Sequence, residues 1–175
     1  MKKIAVLISD GTEEIEAITP IDILRRADVQ CDVFSVRGKE VTCSHGITIQ
    51  ADYTIDQLKE DDYDGIVIPG GMPGAKYVSE CQKAVGCVKA MFESKKLVSA
   101  ICASPAVVLA KHGLIDGKKA TCYPAPDFID EIKKRSIYTG ENVQVDGNVI
   151  TANGPRSAME FALKICEYLQ ITPKF

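Results

Sequence analysis

The strongest constraint on the fold is the alternation of short, β-branched apolar runs with stretches of helical periodicity. The apolar runs lack polar alternation, which is typical of parallel strands buried on both faces. Strands that alternate with helices predict an α/β fold, here a single-domain three-layer α/β/α sandwich with a mostly parallel central sheet. The predicted strands span residues 3–8, 31–36, 65–68, 97–101 and 149–151, and the predicted helices span residues 13–27, 79–94, 105–112, 126–134 and 155–169.

Local patterns predict smaller elements as well. Residues 41–50 and 143–150 each carry a glycine in the middle of β-forming residues, which indicates two β-hairpins. A short strand is predicted at residues 119–121. Ser79, with Gln82 three residues later, resembles a capping box, so the helix over 79–94 is predicted to begin at Ser79.

Composition limits the classes of partner. The chain has 175 residues, so we expect one domain of ordinary size over residues 1–175. Lysine and arginine together number 21 against 24 acidic residues, and the net charge is -3. Without a basic excess to neutralise phosphates, we expect no nucleic-acid partner. No apolar run approaches the roughly 18 residues of a membrane span, so we expect no membrane partner.

Seven cysteines are dispersed along the chain without a C-x-x-C motif, and there are two histidines. This spacing spells out neither a zinc cluster nor a redox dithiol. Several of the cysteines lie inside apolar runs, where a free thiol behaves as a small hydrophobe. Unpaired thiols and a start without a signal-peptide pattern predict a reducing compartment, the cytoplasm.

Three strand ends are candidate sites, because ligands bind beyond the carboxyl ends of the strands in such sheets. The first is LVSAICASP, where Cys102 falls between a buried strand and a predicted helix. Small residues two positions away on each side, Ala100 and Ser104, suit a sharp nucleophile elbow. The following helix N-terminus predicts a lowered pKa for the Cys102 thiol. A plain buried cysteine is the alternative interpretation.

The second strand end carries IPGGMPG, in which Gly70 and Gly71 directly follow a strand. Consecutive glycines permit positive φ and a close approach to a ligand, and their N–H groups suit an oxyanion hole. The motif differs from both phosphate-loop patterns. A tight turn that needs glycine only for steric reasons is the alternative interpretation.

The third strand end, DGTEEIE, opens the helix over residues 13–27. Carboxylates in a first turn are favoured by the helix dipole, so Glu13 and Glu14 need no further role. Glu16 shares a helical face with apolar residues, where a carboxyl group has a raised pKa and can donate a proton. Spacing alone does not separate Glu16 from Glu13, which also aligns with apolar positions.

Three other side chains are weaker candidates. Tyr123 follows the strand predicted at residues 119–121, so it either reaches the same pocket or is a buried tyrosine with a hydrogen-bonded hydroxyl. His45 lies in the first hairpin turn and is interpreted as a solvated loop residue. His112 ends a predicted helix, where an imidazole complements the negative end of the dipole.

Together, the segments DGTEEIE, DILRRA, VIPGGMPGA, AICASP and TANGPRSAMEFAL resemble the ThiJ/PfpI superfamily, in family order and over nearly the whole chain. More narrowly, they resemble the branch of deglycase-like proteins linked to parkinsonism. The resemblance implies the flavodoxin-like, class I glutamine amidotransferase-like fold. It also implies a homodimer whose sites lie near the interface.

The resemblance assigns roles to matching positions. It implies that Cys102 is the reactive cysteine and that Glu16 is a protonated carboxyl group hydrogen-bonded to its thiolate. It also implies that Gly71 and Ala103 supply the N–H groups of an oxyanion hole. The remaining pocket residues that it implies are Gly70, Gly154, Pro155, Tyr123, Arg26 and His45.

Two departures from the family pattern bear on the reaction. Peptidase-like members carry a histidine directly after the nucleophile, where this chain has Ala103, and the closer branch often has one at the position of Tyr123. The remaining Cys–Glu pair leads us to expect a glyoxalase or deglycase with an oxidation-responsive cysteine. We expect it to act on methylglyoxal-like carbonyls or glycated substrates without a cofactor or metal. The alternatives are a cysteine hydrolase of the "protease I" type and a non-enzymatic redox sensor or chaperone-like stress protein.

Overall fold

The computed structural model describes residues 1–175 and confirms the predicted fold class. The strands are β1 (Lys3–Ile8), β2 (Gln30–Ser35), β3 (Glu40–Thr42), β4 (Thr48–Gln50), β5 (Tyr53–Thr54), β6 (Gly65–Ile68), β7 (Leu97–Ile101), β8 (Lys119–Ala120), β9 (Ile137–Tyr138), β10 (Val143–Asp146) and β11 (Val149–Ala152). The α-helices are α1 (Glu14–Arg26), α2 (Gly74–Glu80), α3 (Gln82–Glu93), α4 (Pro126–Lys133) and α5 (Ala158–Leu169).

Seven strands form the central sheet in the order β10-β11-β7-β6-β1-β2-β5. All neighbours pair in parallel except β10 and β11, which form the predicted second hairpin. The carboxyl ends of β11, β7, β6 and β1 therefore lie side by side at one edge of the sheet. The first predicted hairpin is also present, as β3 and β4, and it forms a separate two-stranded sheet.

Both faces of the sheet are covered, which explains why the central strands are apolar throughout. In β1, Ile4, Val6 and Ile8 point to the core beneath α1 and α5, whereas Ala5 and Leu7 point to the core on the opposite face. All five side chains are buried, as period-two alternation between two packed faces requires. On that opposite face, α3 packs against β6 and β7.

The helix over residues 79–94 differs from its prediction. The structure breaks it at Cys81, so that Ser79 lies within the short helix α2 and α3 begins at Gln82. The predicted capping box at Ser79 is therefore wrong, because the Ser79 hydroxyl hydrogen-bonds the His112 ring at 2.9 Å rather than a backbone N–H of α3. None of the helices is long and apolar enough to span a membrane.

Two further elements depart from the predicted pattern. The segment Pro105–Ala110, predicted as an ordinary helix over 105–112, is a π-helix. Such wide turns are rare and are often found at functional sites. The strand predicted at 119–121 is present as β8, but it pairs in parallel with β9 in a small sheet of its own. The short strands β5 and β9 lack the apolar runs that would have indicated them.

Candidate active site

Cys102 lies in the turn between β7 and the π-helix, at the carboxyl edge of the sheet. Its φ is +65°, a left-handed conformation that a non-glycine residue adopts at a cost of about 1–3 kcal/mol. The turn is fixed by the sheet, because the Cys102 N–H donates to Ala152 O at 2.9 Å and the Tyr123 N–H donates to Cys102 O at 2.8 Å. The Ser104 hydroxyl adds a hydrogen bond to Pro69 O at 2.6 Å. The predicted sharp elbow is therefore present, and Cys102 is partly exposed.

Glu16 lies on α1 and its side chain is completely buried. The helix begins here because Glu13 is its N-cap: the Glu13 carboxylate accepts a hydrogen bond from the Glu16 N–H at 3.0 Å. Glu16 Oε2 in turn accepts a hydrogen bond from the Gly70 N–H at 2.8 Å. Its other oxygen, Oε1, is buried without a hydrogen-bond partner. The structure thus separates Glu13 from Glu16, which spacing alone did not.

Gly70 brings Glu16 and Cys102 together. A Cβ atom on Gly70 would lie 2.6 Å from the Cys102 Cβ and 2.6 Å from Glu16 Oε2. Only glycine leaves room for the carboxyl group and the cysteine to meet at this strand end. Gly71 has a φ of +87° and its Cα faces the loop before α1, where a Cβ would lie 2.4 Å from the Glu13 backbone N. Both glycines are therefore needed for close packing as well as for any role toward a ligand.

The pKa of Glu16 is raised from its ordinary value of 4.5 to about 7. Burial is the main cause, because removal of water disfavours the charged carboxylate, and the nearby charge of Glu13 adds to it. Interaction with the Cys102 thiol and the hydrogen bond from Gly70 act in the opposite direction. The predicted raised pKa is present, so both protonation states of Glu16 are populated near neutral pH.

The pKa of the Cys102 thiol is raised, not lowered as predicted from the helix dipole. Burial is the main cause, and the adjacent Glu16 carboxylate further disfavours a thiolate. The N–H groups of Ala103 and Gly71 act on the sulfur in the opposite direction without outweighing these effects. The two neighbouring acids are therefore coupled, and at neutral pH a thiolate forms at Cys102 only when the thiol proton is transferred to the Glu16 carboxylate.

A cavity of about 400 Å³ lies beside the elbow, beyond β11. It contains three of the predicted pocket residues, Tyr123, Gly154 and Pro155. The Tyr123 side chain is half exposed, which excludes the buried, hydrogen-bonded tyrosine that was the alternative interpretation. Its ring packs over Gly154, where a Cβ would lie 3.4 Å from the ring. The full lining is Tyr123, Pro124, Asn153, Gly154, Pro155 and Arg156.

A family model matches residues 2–168, and it describes the DJ-1/PfpI family. The chain belongs to this family. Among curated proteins it is 42% identical over 166 residues to DJ-1 homolog B of Arabidopsis thaliana, with 94% of this chain and 37% of that protein covered. It is 38% identical over 170 residues to the Parkinson disease protein 7 homolog of Danio rerio, with 96% and 89% covered.

Solved structures of the DJ-1/PfpI family agree with this assignment. The oxidized DJ-1 of Toxoplasma gondii has a TM-score of 0.89 at 41% identity, with 97% of this chain and 91% of that chain covered. Such neighbours share the flavodoxin-like, class I glutamine amidotransferase-like fold. The chain spans 37% and 42% of the length of the two Arabidopsis relatives, DJ-1 homologs B and A.

His45 lies in a clamp at the start of α1. Glu14 Oε1 accepts the His45 N–H at 2.6 Å, and Glu14 Oε2 lies 3.1 Å from His45 Nδ1 and accepts the Ser44 hydroxyl at 3.0 Å. Burial opposes ionisation, yet these hydrogen bonds lower the pKa of Glu14 to about 2. Glu13, Glu14 and His45 could together face a cation, but the Glu14 oxygens are already engaged by the hairpin. The cluster is therefore explained as a loop clamp.

Arg26 does not line this cavity, and its predicted place near the site at a dimer interface stays a prediction. It ends α1, ten residues after Glu16, which is about 15 Å along a helix. Its guanidinium bonds Asp22 at 2.8 Å and Lys174 O at 3.3 Å, and it lies over the ring of Phe175.

The sequence did not indicate two residues at this edge of the sheet. Ser104 secures the elbow through its hydroxyl, although sequence analysis treated it only as a small neighbour. Arg156 follows Pro155 directly and lines the cavity. Its position next to Pro155, a residue already predicted to lie in the pocket, could have indicated it from the sequence. The π-helix after Cys102 has no recognisable signal in PAVVLA, which also fits an ordinary helix.

Substitution of Gly70 tests the close packing of Glu16 against Cys102. In Gly70→Ala the added methyl group meets Cys102, Glu16 and the Ile101 carbonyl oxygen, so we expect the free energy of unfolding to fall by about 1–3 kcal/mol. Urea unfolding followed by circular dichroism measures this change. Gly86→Ala is the control: it lies in α3 with open space around it and is expected to leave stability unchanged or slightly higher. Equal stability of Gly70→Ala and wild type would contradict the packing.

The raised pKa of Glu16 predicts that the free energy of unfolding depends on pH. The folded chain holds its proton up to about pH 7 and the unfolded chain releases it near 4.5, so stability falls as the pH rises between these values. Glu16→Gln removes this dependence. We expect its free energy of unfolding, relative to wild type, to rise by about 3 kcal/mol across that window. A difference between the two proteins that does not change with pH in denaturant titrations would contradict the assignment.

Proposed function

We propose that this DJ-1-like protein is a cofactor-independent enzyme of the glyoxalase or deglycase type, with Cys102 as nucleophile and Glu16 as acid and base. The observation that carries the proposal is the contact of a partly exposed elbow cysteine with a fully buried carboxyl group whose pKa is raised to about 7. A group near neutrality is poised to accept and return protons. Its substrates are methylglyoxal-like carbonyls or glycated compounds.

The first step is addition of sulfur to the aldehyde carbon of methylglyoxal. Glu16 takes the thiol proton as the C–S bond forms, and that proton then neutralises the former aldehyde oxygen to give a hemithioacetal. The N–H groups of Gly71 and Ala103 are the donors suited to the oxygen while it carries charge, since both act on the sulfur from nearby. In the deglycase variant the same attack on a glycated carbonyl ends with release of the amine.

The next steps move one proton between neighbouring carbons. Glu16 removes the hydrogen of the sulfur-bearing carbon as a proton, the electron pair forms an enediol, and the ketone oxygen takes up a proton. Return of a proton to the second carbon, with loss of the hydroxyl proton on the sulfur-bearing carbon, gives a thioester of lactate. Water then cleaves the C–S bond, which releases lactate and restores the thiol. The sum is methylglyoxal plus water giving lactate and a proton, so no external oxidant or reductant is required.

Hydrolysis of peptides has less support. A cysteine hydrolase needs a base to activate the thiol and protonate a leaving amine, and histidine is the usual choice. Both histidines are engaged elsewhere: His45 with Glu13 and Glu14, and His112 with Ser79. Ala103 and Tyr123 occupy the positions where relatives carry histidine. The "protease I" alternative therefore depends on Glu16 alone.

Oxidation of Cys102 is the second candidate function. Peroxide would oxidise the thiolate to a sulfenate with release of water, and a second peroxide would give the sulfinate. The partial exposure of Cys102 and its position beside a carboxyl group that can donate a hydrogen bond favour this reaction. A relative, the DJ-1 of Toxoplasma gondii, has been solved in oxidized form. A redox sensor or chaperone-like stress protein requires no turnover of carbonyls.

We also propose that the protein is a homodimer and that it is located in the cytoplasm. Exposed apolar side chains gather on α1 and α5, which pack side by side, and a second copy of the chain would cover them. All seven cysteines are free, which suits a reducing compartment. The exposed large hydrophobic residues on these helices and the neighbouring hairpin are Ile15, Ile18, Ile47, Met159, Leu163 and Tyr168.

Incubation with methylglyoxal tests the proposed reaction. We expect the purified protein to form lactate without glutathione, Cys102→Ala to form none, and Glu16→Gln to lose about 10²-fold or more because it cannot transfer a proton. Cys81→Ala, which removes the other partly exposed thiol, is the control and should match wild type. Absence of lactate at any substrate concentration, or full activity in Glu16→Gln, would reject this mechanism.

Mild peroxide distinguishes the second candidate. Because Cys102 alone among the partly exposed cysteines lies beside a buried carboxyl group, intact-mass and peptide spectra should place a gain of two oxygens on Cys102 and none on Cys81. Oxidation that is spread equally over both thiols would argue against a sensor at Cys102. A protein that oxidises selectively but forms no lactate would favour the sensor over the enzyme.

A further inference from the structure

The cavity beside the elbow carries one charge. Its lining combines a tyrosine, two prolines, a glycine and an asparagine with the Arg156 guanidinium, and it contains no acidic side chain. The Asn153 side chain is already hydrogen-bonded within the protein: its amide N–H donates to the Asn142 side chain, and its carbonyl oxygen accepts the Ser157 hydroxyl. Arg156 is therefore the one charged donor in the lining, beside the neutral hydroxyl of Tyr123.

The other arginines of the chain have partners within it. Arg25, Arg26 and Arg135 form ion pairs with aspartates, and Arg37 stacks over the Tyr77 ring at 3.6 Å. Arg156, the fifth, is exposed and forms no salt bridge or hydrogen bond through its side chain. An arginine presents a planar fork of donors that matches carboxylate and phosphate oxygens.

The cavity wall is continuous with the strand ends that hold the reactive sulfur. Ala152 O accepts the Cys102 N–H, and Arg156 lies four residues after Ala152. On the other side, the Tyr123 N–H donates to Cys102 O while the Tyr123 ring packs over Gly154. Cys102 does not itself line the cavity. The inference therefore requires that a substrate whose carbonyl carbon is at Cys102 extends its far end past Tyr123 and Gly154 into this cavity.

We infer that Arg156 binds an anionic group, a carboxylate or a phosphate, at the end of the substrate remote from the reacting carbonyl. This inference rests on the proposed function and narrows its substrate class to negatively charged α-oxoaldehydes. An example is 4,5-dioxopentanoate, which has the same reacting end as methylglyoxal and a carboxylate two methylene groups away. The chemistry is unchanged: one water is consumed, hydrogen moves between the two carbonyl carbons, and 2-hydroxyglutarate is formed.

Turnover of a matched substrate pair tests the role of Arg156. The pair is 4,5-dioxopentanoate and 2-oxopentanal, in which a methyl group replaces the carboxylate. In Arg156→Gln we expect kcat/KM for the anionic substrate to fall about tenfold or more, mainly through KM, with the neutral substrate unaffected. Arg156→Lys should recover part of the loss. The control Arg135→Gln, which removes an arginine paired with Asp116, should change neither substrate. Equal loss on both substrates in Arg156→Gln would overturn the inference.

A binding measurement separates failure of this subsite from failure of the proposed reaction. Calorimetric titration of the wild-type protein should give tighter binding of 2-hydroxyglutarate than of 2-hydroxypentanoate, and Arg156→Gln should remove the difference. If no substrate is turned over but this preference is present, the proposed enzyme activity fails and the anion subsite stands. If the preference is absent, the subsite is rejected. Competition by inorganic phosphate would extend the subsite to phosphorylated carbonyls, and lack of competition would restrict it to carboxylates.

Discussion

The complete burial of the Glu16 carboxyl group is the constraint on which the rest of the site depends. A carboxylate without water is costly, so it must be hydrogen-bonded or hold its proton. The Gly70 N–H satisfies one oxygen, and only a glycine lets the chain approach closely enough to do so. The other oxygen has no hydrogen-bond partner, and the carboxyl group as a whole interacts with the Cys102 thiol. The tight packing at Gly70 follows from this arrangement, because a Cβ there would meet both Glu16 and Cys102.

The chemistry of the site depends on one negative charge that the Glu16 carboxyl group and the Cys102 thiol share. A free thiolate is disfavoured while Glu16 is ionised, and it becomes accessible when Glu16 holds the proton. Nucleophile and acid are therefore produced together in one proton transfer. The same coupling suits both attack on an aldehyde and protection of an oxidised sulfur. In the proposed reaction, the cavity beyond β11 would select among substrates through the ring of Tyr123 and the charge of Arg156.

The fold could be predicted from sequence to the extent that local apolar pattern encodes it. β1, β6 and β7 have their predicted bounds because both faces of each strand are covered, which leaves an uninterrupted apolar run. The turn at Cys102 and the π-helix after it are held by contacts between distant segments, such as the Ser104 hydrogen bond to Pro69, which local pattern does not encode. The break at Cys81 has no local signal in the sequence either. The direction of the Cys102 pKa was wrong for the same reason: a dipole can be inferred from local sequence, but burial beside a carboxyl group on α1 cannot.

Titration of Glu16 by ¹³C NMR of the labelled carboxyl carbon tests the central claim most directly. It observes the group itself and does not depend on a substrate. A midpoint near 7 is expected in the wild-type protein, well above the ordinary 4.5. In Cys102→Ala, loss of the interaction with the thiol should move the midpoint further upward, because that interaction lowers the pKa of Glu16. A midpoint near 4.5 in the wild-type protein would contradict the shared-proton pair, and with it the acid and base role of Glu16.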